Sequence, residues 1–368
     1  MPIALTAERI FDGEKFYLDS AILVENGKVL SVISKEEILP GDEVKDLGDK
    51  IISPAFLDLQ IYGAHGKMFS QDLNSAAISA TNDYCRAGGA SSFMITMATN
   101  SMENFYKGID AVKKYWEEGG KGCLGLHMEG PFLNPEKKGA HIERYIKKPT
   151  AEEINEIIKR GEGIVKMITI APEFFDLHTV RQLKEAGMLV SAGHTNATYQ
   201  QAMDGFDSGI PVATHLFNAM SSFMHRAPGM VGAILDHPVA KASIVCDGIH
   251  VDYAAVRVAH RIMQNRLFFI TDAVTEVSDG EYPHIFKGDR YVMPDGTLSG
   301  SSLTMFKCIQ NAVNHAKIPL DAALSMATAT PASLLGEEIK VGKIQEGFPA
   351  EFAIMDNALE SVELFTVS

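Results

Sequence analysis

KASIVCDGIH (241–250), DYAAVRVAHRIMQN (252–265) and RLFFITDA (266–273) follow one another almost without a gap. The outer two are short, continuous apolar runs of strand length, and the middle one is helix-like. Buried parallel strands read this way, because both of their faces are covered and a helix makes the crossover between them. The same texture extends towards the N-terminus. Further runs are IISPAFLDLQI (51–61), ASSFMITMAT (90–99), GCLGLHME (122–129), VKMITIAPE (165–173), GMLVSAGH (187–194) and VATHLFNA (212–219). Helix-like stretches such as NSAAISATNDYCRA, SMENFYKGIDAVKKYW and TAEEINEIIKR lie between them. The last begins at Thr150 with a glutamate three residues on, a capping-box pattern. Eight strand-like runs within roughly 220 residues predict a (β/α)8 barrel of the TIM type rather than a doubly wound sheet.

The chain ends read differently. The first ~50 residues hold short β-like runs broken by Asp12-Gly13 and Asn26-Gly27, pairs that favour hairpins. VGKIQEGFPAEFAIMD (341–356) and VELFTV (362–367) look alike. The expectation is a small β-sandwich module built from residues 1–53 and 342–368, flanking a barrel of residues 54–341.

Of the 368 residues, 33 Lys+Arg face 47 Asp+Glu, a net charge of −14. That balance excludes a nucleic-acid surface and an anionic membrane surface, both of which need basic patches. No apolar run is long enough for a membrane span. MPIALTAERIFDG shows no secretory signal, and Cys85, Cys123, Cys246 and Cys308 form no CxxC pair. A reduced, cytoplasmic protein is expected.

The runs end in Gln60, Thr99, Glu129, Glu173, His194, His215, His250 and Asp272. In a barrel the C-terminal strand ends converge on one face, where active sites lie. Eight separate positions therefore become one pocket. Glu129, His194 and His215 form the best ligand set for one divalent ion: two imidazoles and a carboxylate suit Zn²⁺ and leave a position open for water. Fe²⁺, Mn²⁺ and Co²⁺ accept similar donors. Asp272 can take a proton from water and return it to a leaving group, or can act as a helix N-cap. His127 faces the same side of its strand as Glu129 and is expected near the site or in the core. His65 and His225 fall in loops. His178, His237, His260, His284 and His315 are expected to be structural or exposed.

These residues carry a resemblance. The barrel with its terminal β module resembles the amidohydrolase superfamily. HMEGPFLNPEKKGAH (127–141), SAGHTNA (191–197), THLFNAM (214–220), APGMVGAILD (227–236), DGIHVD (247–252), TDA (271–273) and GTLSGSSLTM (296–305) are similar to the N-acetylglucosamine-6-phosphate deacetylase family within it. The similarity runs essentially the whole length. It implies metal-dependent hydrolysis of the acetamide of N-acetyl-D-glucosamine 6-phosphate in amino-sugar catabolism. Glu129, His194 and His215 are then the ligands of one ion, Asp272 is general base and then acid, and His141 polarises the amide carbonyl. The resemblance also implies that Asn218, Ala219, Arg226 and His250 bind the sugar phosphate, and that Ala140, Leu298, Ser299 and Gly300 touch it. It implies a homodimer in which Arg226 reaches the neighbouring subunit's site.

One departure stands out. Many superfamily members carry HxH at the end of the first strand. Here SPAFLDLQIYG places Gln60 and Tyr62 at those positions, which predicts a single-metal site. Two alternatives are an amidohydrolase acting on cyclic amides or N-acyl amino acids, and a catalytically silent scaffold. The absence of HxH weighs against the first, and the presence of all three ligands and the base weighs against the second. SDGEYPHIFKGDRYVMPDG (278–296) reads as a hairpin insert of open function.

Overall fold

Eight parallel strands form one sheet, each hydrogen-bonded to the next in chain order. The computed structural model describes residues 2–367. The strands are β1 (Phe56–Ile61), β2 (Ala90–Ala98), β3 (Cys123–Glu129), β4 (Val165–Ile170), β5 (Leu189–Ala192), β6 (Val212–Ala213), β7 (Lys241–Ile244) and β8 (Leu267–Phe269). After each comes a helix: α1 (Ser75–Ala87), α2 (Met102–Glu117), α3 (Ala151–Gly161), α4 (Leu177–Glu185), α5 (Tyr199–Asp207), α6 (Gly229–Asp236), α7 (Tyr253–Met263) and α8 (Met305–Asn314). The two edges of the sheet meet just past β8. Ile61 bridges Ala273 in parallel. The Asp272 N–H donates to the Gln60 carbonyl at 2.9 Å, and the Tyr62 N–H to the Ala273 carbonyl at 3.0 Å. This is the (β/α)8 barrel the alternating runs predict.

Local chemistry explains the elements. Every residue of β1 is buried, Asp58 and Gln60 included, so the polar positions alternating with Leu57, Leu59 and Ile61 mark no solvent-exposed face. The capping box at α3 is made as expected. Thr150 Oγ1 accepts from the Glu153 N–H, and the Glu153 carboxylate accepts from the Thr150 N–H.

The stretch 51–61 reads as one strand but is two. Lys50–Pro54 belongs to a sheet of the terminal module, and the chain enters β1 only after Ala55. In that sheet Lys50–Pro54 lies antiparallel to Glu351–Asp356, so residues from both chain ends are paired directly. A second sheet holds Ile3–Thr6, Ser20–Glu25, Lys28–Ser34 and Glu43–Asp46. Leu5, Ile10, Ile22, Ile52 and Phe352 form a separate apolar core for these strands. Asn26 and Gly27 turn one hairpin with φ of +51° and +70°, as a two-residue turn requires. Among the described residues no helix is long and apolar enough to cross a membrane.

Candidate active site

The C-terminal strand ends gather Glu129, His194, His215 and Asp272 around one cavity. Glu129 is the last residue of β3. His194 and His215 each lie two residues past β5 and β6, and Asp272 three past β8. The last three have φ of +47°, +38° and +54°. Left-handed backbone at a non-glycine costs about 1–3 kcal/mol, so each turn is held by its surroundings. For Asp272 the brace is visible. Its N–H is on Gln60, and its carbonyl accepts from the Ser301 N–H at 2.8 Å. A Cβ at Gly300 would sit 2.5 Å from that carbonyl, so only glycine lets the 299–301 turn approach.

Three electron-pair donors converge here. Glu129 Oε1 is 3.4 Å from His194 Nε2 and 3.2 Å from His215 Nε2, and the two imidazole nitrogens are 3.0 Å apart. His194 Nδ1 lies 2.9 Å from the Lys137 carbonyl. A carbonyl only accepts, so Nδ1 carries the proton and Nε2 presents its lone pair. His215 Nδ1 is buried without a partner among the described residues. The edges match the ~3.3 Å donor separation around a tetrahedral ion with ~2.0–2.1 Å bonds. The residues fit a divalent cation, and the amide pinning His194 is the outer support metal-binding histidines usually have.

His141, Glu129 and His194 also bring donor atoms within 4.8 Å of one another. Hydrogen bonding separates His141 from the ligands. Its Nδ1 accepts from the Thr99 N–H at 3.1 Å, so in the neutral ring Nε2 carries the hydrogen. That Nε2 stands 3.1 Å from Glu129 Oε2 as a donor. Burial would raise the Glu129 carboxyl, yet the imidazoles, His141 foremost, hold it well below its usual range.

Gln60 and Tyr62 fill the place beside these groups. Gln60 Nε2 shares its two hydrogens among three acceptors, Asp272 Oδ1 at 2.7 Å, the Tyr62 hydroxyl at 2.8 Å and Glu129 Oε1 at 3.1 Å. The Tyr62 hydroxyl donates to Glu129 Oε2. Burial first, then the charges of Glu129 and Asp272, raise the Tyr62 phenol well above its ordinary value, so it stays a donor. Burial also raises the Asp272 carboxyl, with His215 opposing the rise. Asp58 supports this corner from below. It accepts from the Gln60 and Thr271 N–H groups at 3.1 and 3.2 Å and from the Thr271 hydroxyl. Desolvation brings its carboxyl up to about 7.

The model of the amidohydrolase family matches residues 51–367. The chain belongs to the amidohydrolase family. An N-acetylglucosamine-6-phosphate deacetylase of Haemophilus influenzae is 33% identical over 347 residues, covering 91% of this chain and 90% of that protein. The Homo sapiens protein of the same name is 34% identical, with 95% and 91% covered. The crystal structure of N-acetylglucosamine-6-phosphate deacetylase from Pasteurella multocida superposes with a TM-score of 0.92 at 29% identity, with both chains fully covered.

Of the residues the sequence singles out, this amidohydrolase brings Ala140, His141, Asn218, Ala219, His250 and the 298–300 turn into the cavity wall with the ligands and Asp272. Gln60 lies behind the wall and acts on it through the bonds above. His127 is fully buried in the barrel. Its Nε2 pairs with Thr169 Oγ1 at 2.8 Å and its Nδ1 with the Leu59 carbonyl at 3.2 Å, and burial lowers it to about 4. It is a core residue. Arg226 is exposed and absent from this cavity. Glu173 turns away from the site, and its carboxylate ties Asn134 to Asn196 at 2.9 and 2.8 Å.

His250 carries more than its position suggests. Nδ1 is 2.6 Å from Asp247 Oδ2 and Nε2 is 2.8 Å from the Ser299 carbonyl. Both partners are acceptors, so both nitrogens are protonated. Burial works against that charge, but the Asp247 hydrogen bond raises the ring above its ordinary value. The sequence reading missed the insert's part in the site. Its hairpin pairs Ile285–Phe286 with Tyr291–Val292, and just before it Tyr282 and His284 join the cavity wall. His284 is neither exposed nor remote, being 4% accessible with Nδ1 2.9 Å from Ser299 Oγ. No motif flagged these residues, because they come from a loop with neither strand nor helix periodicity.

Proposed function

We propose that this amidohydrolase hydrolyses the acetamide of N-acetyl-D-glucosamine 6-phosphate to D-glucosamine 6-phosphate and acetate, a step of amino-sugar catabolism or recycling. One observation carries the chemistry: three lone-pair donors converge between an imidazole N–H on one side and a buried, proton-accepting carboxylate on the other. The whole-length likeness to deacetylases of that name supports the substrate.

Glu129, His194 and His215 would hold one divalent ion, with Zn²⁺ the best fit to two imidazoles and a carboxylate. Such an ion polarises a carbonyl oxygen and makes water acidic near neutral pH. When substrate enters, His141 shifts its Nε2 hydrogen from Glu129 Oε2 to the amide oxygen, where negative charge develops as the carbonyl carbon becomes tetrahedral. Asp272 accepts a proton from the attacking water. The carbon–nitrogen bond then breaks, and Asp272 gives that proton to the departing amine. Gln60 keeps the Asp272 carboxylate turned towards the cavity.

The phosphate must bind in a protein of net charge −14, so short-range contacts supply the affinity. Asn218 and Ala219 offer backbone and amide donors, and His250, held between Asp247 and Ser299, braces the sugar side of the same cavity. Arg226 lies on an exposed loop with Phe223 and Met224, 61% and 58% accessible. Two bare apolar side chains beside an unused arginine support a homodimer in which Arg226 serves the neighbouring site. Four buried, unpaired cysteines support a reducing compartment such as the cytoplasm.

The test is acetate release from N-acetylglucosamine 6-phosphate by metal-loaded protein, with metal content measured alongside. Turnover that stops on metal removal and returns on re-addition is expected. A fully loaded protein that releases no acetate overturns the substrate. Arg226→Ala should raise KM for the phosphorylated sugar and leave an unphosphorylated analogue unaffected. Equal effects on both would remove Arg226 from phosphate binding.

A further inference from the structure

One hydrophobic cluster lines the cavity. Tyr62, Met68, Ala98, Val274 and Tyr282 form a small hydrophobic cluster apart from the main core, and all five line the cavity. The lining also includes the polar residues Asn218, His250 and Ser299. The apolar wall is built onto the reacting groups. Ala98 directly precedes Thr99, whose N–H fixes His141. Val274 follows Asp272 by two residues, and the Tyr62 hydroxyl rests on Glu129.

The insert completes this wall. The Tyr282 hydroxyl donates to the Thr99 carbonyl and accepts from the Ile142 N–H at 3.4 Å. Its own N–H donates to Gln71 Oε1 at 2.9 Å. Bonds to three separate segments fix the ring in place. Met68 is unbranched and can adapt, but it is only 1% accessible and packed against the others.

We infer that this wall is an acyl-selectivity site that admits the methyl of an acetyl group and rejects longer straight-chain acyl groups. The inference rests on the deacetylase reading above. An amide oxygen directed to His141 and a nitrogen directed to Asp272 leave the third substituent of the carbonyl carbon to be placed. On an N-acetyl sugar phosphate that substituent is the apolar methyl, and this hydrophobic cluster is attached to the segments that carry Glu129's partner Tyr62, His141's partner Thr99 and Asp272. One methylene too many or too few in such a pocket changes kcat/KM by about 10–200-fold.

The experiment compares N-formyl, N-acetyl, N-propionyl and N-butyryl glucosamine 6-phosphate as substrates of the wild-type enzyme and of Met68→Ala, Val274→Ala and Ala98→Val. Metal content of each variant reports an intact site. The wild type should prefer acetyl to propionyl by at least tenfold. Met68→Ala or Val274→Ala should raise the propionyl-to-acetyl ratio by about tenfold or more, and Ala98→Val should shift preference from acetyl towards formyl. A wild type that cleaves all four equally well overturns the inference while leaving the deacetylase reading intact. So do variants that keep their metal and show wild-type ratios. A wild type that cleaves none of the four overturns the deacetylase reading itself.

Discussion

Replacing Tyr62 with phenylalanine removes one oxygen from the site and almost nothing else. The ring still fills its place against Met68, Ala98, Val274 and Tyr282. What goes is the hydroxyl that donates to Glu129 Oε2 and accepts from Gln60 Nε2 at 2.8 Å. Gln60 Nε2 keeps Asp272 at 2.7 Å and Glu129 Oε1 at 3.1 Å. The loss therefore falls on Glu129 Oε2, left with only the His141 N–H at 3.1 Å. A hydrogen bond to a charged group contributes about 1.5–3 kcal/mol. Outer partners of metal ligands typically change metal affinity by about 10–100-fold, or ~1.4–2.7 kcal/mol, so the two scales agree. Tyr62→Phe should thus raise the metal Kd by about 10–100-fold, measured by competition with a chromogenic chelator. At saturating metal, kcat should recover most of the wild-type value. An unchanged Kd would mean that the hydroxyl does not orient Glu129, and the account of the Gln60–Tyr62 pair would fail.

Asp272→Asn should keep a stoichiometric ion and a folded barrel while kcat falls by about 10²–10⁴-fold, and undiminished turnover would take Asp272 out of proton transfer. His194→Ala should lose the ion, measured by elemental analysis, and full retention would contradict its place among the ligands. Asp58 makes a prediction about pH. Its folded pKa, about 7, lies above the ordinary 3.8, so its contribution to stability is full below ~4 and is lost as pH rises through 7. The difference approaches about 4 kcal/mol. Asp58→Asn should accept the same backbone hydrogen bonds without titrating. Urea unfolding at pH 5 and pH 8 should therefore show a smaller loss of stability in the variant than in the wild type. An equal loss in both would show that Asp58 titrates normally.

The barrel was readable because its strands are buried on both sides and so stand out as unbroken apolar runs. The ligands were readable because they end such runs. Where a residue's role is set by hydrogen bonding, the sequence was silent. Glu173 ends a run just as Glu129 does, yet one backbone N–H and the Asn134 amide turn it away from the cavity. His127 sits two residues before Glu129 with the same facing, but lies one layer deeper, where Thr169 and Leu59 occupy both nitrogens. Tyr282 escaped notice for a different reason. It reaches the cavity from an irregular segment, where no periodicity says which way a side chain points.

The barrel's seam runs through its chemistry. The first and last strands are joined by the bond from the Asp272 amide to the Gln60 carbonyl, and the side chains of the same two residues are paired inside. A ring that has not yet shut cannot hold the proton carrier opposite the cation. Turnover therefore reports circularisation itself. During refolding, catalysis should be the last property regained, after helical signal and after burial of the early strands.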